Sequence, residues 1–92
     1  MYLISAVVTL HIPQANSLKD KRQVAKSLID RIRRKFNVSI AEVDTQDVHR
    51  TLTLGIAAVS GSNTHVQNAM DEVVRYIEDN ADAELVSVEI DG

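Results

Sequence analysis

The sequence predicts an α+β fold with elements in the order β-α-β-β-α-β. Apolar residues alternate with period two over residues 4–12, 38–43, 48–60 and 85–90, as half-buried strands require. They recur at helical spacing over residues 18–36 and 66–81, and polar, turn-forming residues separate the segments. At 92 residues the chain makes a single domain, 1–92, with room for one core between two layers but not for a deep substrate cavity.

In the first strand, β1 (residues 4–12), Ile4, Ala6, Val8, Leu10 and Ile12 face one way and Ser5, Val7, Thr9 and His11 the other, up to the lone proline, Pro13. Ser17-Leu18-Lys19-Asp20 then opens a helix, because the Ser17 hydroxyl and the Asp20 carboxylate can accept from first-turn amides that lack partners. Leu18, Val24, Ala25, Leu28, Ile29, Ile32 and Phe36 share a little over a third of the wheel of this helix, α1 (18–36), and Asn37 suits its end. Strand β2 (38–43) turns Val38, Ile40 and Glu42 one way and Ser39, Ala41 and Val43 the other, and Asp44-Thr45-Gln46-Asp47 is the connecting turn. Strand β3 (48–60) alternates Leu52, Leu54, Ile56 and Ala58 with Thr51, Thr53, Gly55, Ala57 and Val59, with Gly55 marking a bulge or close packing. After the loop Ser60-Gly61-Ser62-Asn63-Thr64, Val66, Met70, Val73, Val74, Ile77 and Ala81 define α2 (66–81). In β4 (85–90), Val86, Val88 and Ile90 alternate with Leu85, Ser87 and Glu89.

Two β-α-β units in tandem most commonly pack as a ferredoxin-like sandwich, an antiparallel sheet of order 4-1-3-2 with both helices on one face. The other face is then bare. Ser5, Val7, Thr9, Ala41, Thr53, Ala57 and Leu85 are placed there, and their small or semi-apolar character suits contact with another sheet or chain. β1 and β3 are expected to run parallel at the centre, bringing their C-terminal ends and both helix N-termini to one edge. That edge would collect His11, Asn16, Lys19 and His65 with Ser17, Ser62, Asn63 and Thr64, the last four either holding an anion or simply capping helices.

Charge is strongly segregated. Eight of the ten Lys and Arg residues lie between Lys19 and Lys35, so residues 1–41 carry eight cations against two carboxylates, +6. Residues 42–92 carry two cations against eleven carboxylates, −9, and the formal −3 of the whole chain hides this bipolarity. On the α1 wheel Lys19, Arg22, Lys26 and Arg33 fall within about 60°. Asp30 sits beside this stripe and can pair with Lys26, Arg33 or Arg34, while Lys21 and Lys35 fall near the apolar sector and should keep their ammonium groups in water. Arg33, Arg34 and Lys35 complement the dipole at the helix C-terminus, but Lys19, Lys21 and Arg22 crowd the end where cations oppose it. A bound polyanion accounts for them better than helix stability does.

Other chemistries are poorly provided for. Without cysteine the chain has no disulfide, thiolate metal site or cysteine nucleophile. Three histidines make a poor metal site, with His49 expected at the far end of β3 from His11 and His65. Glu42, Asp44 and Asp47 crowd a turn, as acidic turn residues usually do, and no Ser-His-Asp order or phosphate-binding glycine loop occurs. An acylphosphatase-like site would want an arginine between β1 and α1, where Pro13-Gln14-Ala15-Asn16 has none. No cofactor, metal or small-molecule substrate is therefore expected. The run Leu3 to Val8 is too short for a bilayer span and lacks a basic leader, so no membrane partner and a cytoplasmic location are expected.

Ser17-Leu-Lys-Asp-Lys-Arg22, continuing through Ser27-Leu-Ile-Asp-Arg-Ile-Arg-Arg-Lys-Phe-Asn-Val-Ser-Ile-Ala-Glu-Val43, strongly resembles the YlxP-like family of small bacterial proteins. The likeness continues through Gln46-Asp47, Leu54-Gly-Ile-Ala-Ala-Val-Ser60 and Val73 to Glu78. It implies a ferredoxin-like fold without an established enzymatic activity, and a link to RNA or the ribosome through genes of translation and ribosome maturation. Where this chain has Val48-His49-Arg50, many members place a tryptophan.

The function expected is therefore a non-enzymatic RNA- or ribosome-associated binding protein that uses Lys19, Arg22, Lys26 and Arg33. With aromatics limited to Tyr2, Phe36 and Tyr76, phosphate and shape contacts rather than base stacking should dominate. The alternative is a homo-oligomeric interaction module, such as a homodimer, that uses the open sheet face.

Overall fold

A computed structural model describes residues 1–92. Its elements are β1 (Tyr2–His11), α1 (Leu18–Lys35), β2 (Ser39–Glu42), β3 (Thr51–Ser60), α2 (Asn63–Asn80) and β4 (Glu84–Asp91). The four strands form one sheet of order β2-β3-β1-β4, antiparallel throughout, which is the ferredoxin-like arrangement expected. No helix is long and apolar enough to cross a membrane.

Alternation fixes which side of each strand is dry. Ile4, Ala6, Val8 and Leu10 of β1, Ile40 of β2, and Leu52, Leu54, Ile56 and Ala58 of β3 form one cluster with the helices. The helices contribute Ala25, Leu28 and Ile32 of α1 and Val66, Met70, Val73 and Ile77 of α2, each set at three- and four-residue intervals. Ser17 caps α1 as expected, its Oγ accepting from the Asp20 amide (3.1 Å); α2 starts earlier than residue 66, at Asn63, with Ser62 Oγ accepting from the His65 amide (3.3 Å). Asp20 Oδ2 in turn accepts from the Asn16 amide at 3.0 Å. Gln67 Nε2 donates to Asn63 Oδ1 one turn earlier (3.3 Å).

Two expectations are corrected. β1 and β3 are antiparallel, with Tyr2 opposite Ser60 and His11 opposite Thr51. Each connection reverses the chain, so β1 up, α1 down and β2 up leave β3 running down. Ser17 at the start of α1 and Ser62, Asn63 and Thr64 at the start of α2 consequently lie at opposite ends of the molecule. His49, two residues before Thr51, shares an end with His11, and His65 lies at the other.

The second correction concerns β4. Its pairing with β1 shifts between Thr9 and Leu10, where Thr9 faces Ser87 and Leu10 faces Leu85, so Val86 is an extra, bulged residue. The bulge sends Leu85 to the helix side, where it packs against the core, and leaves Val86 62% exposed. Leu85 does not belong to the open face.

Candidate nucleic-acid interface

Lys19, Arg22, Lys26 and Arg33 are all exposed and follow one flank of α1, the flank turned toward the edge strand β2. Between Lys19 and Arg33 they cover roughly 21 Å of helix axis. Arg22, Lys26 and Arg33 line one shallow groove of about 420 Å³ with Ala25, Ile29, Asp30, Ala41 and Glu42. The four cations differ in how free they are. Lys19 and Arg22 make no ion pair or side-chain hydrogen bond, and Lys26 pairs with Asp30 at 3.4 Å in solvent. Arg33 donates from Nη2 to the Ile40 carbonyl at 2.8 Å. Because Val43 N–H bonds to Thr53 across the sheet, Ile40 presents its carbonyl outward at the sheet edge, and Arg33 blocks that edge against strand addition.

The remaining cations of α1 point elsewhere. Arg31 reaches the Asn80 carbonyl of α2 (3.3 Å), tying the two helices. Lys35 lies over the rings of Phe36 and Tyr76, 6.0 and 5.6 Å from their centroids, and these rings meet edge to face at 5.6 Å.

Lys21 departs most from expectation. Its side chain is fully buried rather than reaching water. Nζ donates to the carbonyls of Thr45 (2.5 Å), Gln46 (3.2 Å) and Thr51 (3.3 Å), and Glu42 Oε2 stands 2.9 Å away. Three ammonium protons serve three carbonyls, so the buried Glu42 Oε2 gains Coulombic attraction but no hydrogen bond of its own. Thr45 Oγ1 closes the same knot against the Thr51 carbonyl (3.2 Å) and Thr53 Oγ1 (2.9 Å). Lys21 therefore fixes the β2–β3 loop, including Asp44 with its positive φ of 61°. The signal for this was in the sequence: a lysine in the apolar sector of α1 and a glutamate on the inward face of β2.

The anion edge formed by Ser17, Ser62, Asn63 and Thr64 does not exist as one site, because antiparallel β1 and β3 separate its halves. His11 pairs with Glu84 across β1 and β4 at 3.6 Å, and no group of three or more metal-ligating side chains converges anywhere.

Over residues 3–90 the chain matches the family described as "Protein of unknown function (DUF503)". It belongs to that family. It is 42% identical over 67 residues to the uncharacterized protein YlxP of Bacillus subtilis (strain 168), a match covering 73% of each chain, so the YlxP-like resemblance holds. In fold it is similar to the solution NMR structure of the de novo designed ferredoxin-fold protein LFR1 1, with a TM-score of 0.63 and 17% identity, over 100% of this chain and 87% of that one. A second design, Ferredog-Diesel, gives a TM-score of 0.54 at 5% identity over 99% and 85% of the respective chains. Both designs speak to the fold alone.

Proposed function

We propose that this member of the DUF503 family is a non-enzymatic RNA-binding protein, acting on ribosomal or other structured RNA through the basic flank of α1. The observation that carries the proposal is the pair Lys19 and Arg22: exposed, without a protein partner, and at the helix end where cations are unfavourable unless an anion is near. Lys26 continues the same flank, held only by a solvent-exposed pair with Asp30 that a phosphate can replace at little cost. Arg33 marks the far end of the flank, anchored by its bond to β2. A rigid row of cations about 21 Å long recognises backbone phosphates by spacing and reads no bases.

Replacing Lys19, Arg22 and Lys26 together by Glu is expected to weaken binding of a structured ribosomal RNA fragment at least 100-fold, measured by fluorescence anisotropy. Arg34→Glu, on another part of the wheel, is expected to change it less than about threefold. Equal affinities for wild type and the triple variant would remove the α1 flank as the site.

A further inference from the structure

The open face of the sheet can be read row by row from its register. Val59 stands beside Leu3; Ser39, Ala57, Ser5 and Asp91 form the next row; Ala41, Gly55, Val7 and Glu89 the central one. Thr53, Thr9 and Ser87 follow, then Thr51, His11 and Glu84. The interior of the face is made of small side chains, its exposed apolar residues are Leu3 (62%), Val59 (54%) and Val7 (38%), and its carboxylates lie along β4. Val7 protrudes directly beside Gly55, which has no side chain at all. A Cβ at Gly55 would meet Val43 Cγ1 at 3.1 Å and Cγ2 at 3.6 Å, so the Val43 methyls already fill the space above the glycine.

We infer that this face binds a second copy of the chain in a homodimer whose two-fold axis runs along the strands between β1 and β3. Three features of the pattern select that axis over one perpendicular to the strands. First, it lays β1 of each copy over β3 of the other, which sets each Val7 against the Val43 methyls that cover Gly55 of its mate. This happens in the central row, where the usual crossing of packed sheets by about 30° moves residues least. Second, it brings Leu3 over Val59 of the second copy, whereas the perpendicular axis would set these residues over His11, Thr51 and Glu84. Third, it places β4 over β2 of the second copy, with Glu89 and Asp91 on either side of the position where Arg33 caps Ile40. The perpendicular axis would stack Glu89 on its own copy, which is repulsive.

The size is adequate. Two strands of ten residues, one of eight and one of four, at about 3.3 Å per residue and about 4.8 Å between strands, give a face of roughly 500 Å² per copy. Two such faces bury about 1,000 Å², the size at which a specific interface begins. Lys19, Arg22 and Lys26 stay on the outer layer, clear of this face.

Sedimentation velocity on the purified full chain, from about 1 µM to about 1 mM, tests the inference. The wild type is expected to form a particle of about 20 kDa, twice the 10.2 kDa of the chain. Val7→Lys and Ser5→Arg are each expected to raise the dimer dissociation constant more than about 100-fold. Both substituted positions lie on the surface opposite β4 carboxylates, so each variant should keep the wild-type circular dichroism spectrum. Glu78→Lys, on the exposed outer side of α2, is expected to leave the dimer intact. A wild type that stays monomeric at 1 mM overturns the proposal. So does a dimer that survives Val7→Lys and Ser5→Arg, or one lost in Glu78→Lys, which would indicate pairing through the helix layer. None of these outcomes depends on RNA binding.

Discussion

A lysine taken fully out of water costs several kcal/mol unless its charge and its donors are all matched. Lys21 is matched by Glu42 and by three carbonyls, of which that of Gln46 has no other donor, while Thr45 also accepts from the Val48 amide and Thr51 from Thr45 Oγ1. Lys21→Met keeps the volume but leaves the buried Glu42 carboxylate and the Gln46 carbonyl without a partner. It is expected to lower stability by about 3–5 kcal/mol in urea unfolding followed by circular dichroism. Glu42→Gln keeps an acceptor beside the ammonium and is expected to cost less than Lys21→Met. A Lys21→Met protein as stable as wild type would mean that the knot contributes nothing net. The helical wheel and the β2 alternation place both residues inward, so half of this interaction is legible in the sequence. The other half is not, because the Thr45, Gln46 and Thr51 carbonyls converge only after the turn folds back across α1.

At the scale of elements, period and capping chemistry specify most of what is seen. Ser17 and Ser62 stop the chain from extending as strand and satisfy first-turn amides, and both are recognisable as serines just before helical periodicity begins. Ser17→Ala and Ser62→Ala are each expected to cost about 1 kcal/mol, read as separate shifts of the urea midpoint with unchanged slope. Costs below about 0.3 kcal/mol at both positions would contradict this reading of the helix starts. What period cannot show is where it breaks. The β4 bulge moves Leu85 inward and Val86 outward, against strict alternation, because pairing with β1 sets the register and only the folded sheet contains that partner. Strand direction is a matter of counting reversals along the chain, and the count separates Ser17 from Ser62, Asn63 and Thr64.

For the whole molecule, the bipolar charge visible in the sequence becomes a geometry. The basic flank of α1 lies over the β2 edge, and the acidic strand β4 forms the opposite edge of the same sheet. The number of cations was plain from composition; how many are free was not, since Lys21, Arg31 and Arg33 find partners only in the fold. The claim that the free ones meet RNA phosphates has a direct measure in salt dependence, because each phosphate neutralised releases counterions. A titration of purified protein with a structured ribosomal RNA fragment, from about 50 to 200 mM salt, should give log affinity falling against log salt with a slope of about 2 to 4. That slope corresponds to three or four phosphates at roughly 0.7–0.9 each. A slope near zero, or one unchanged when Lys19, Arg22 and Lys26 are replaced by Glu, would contradict it.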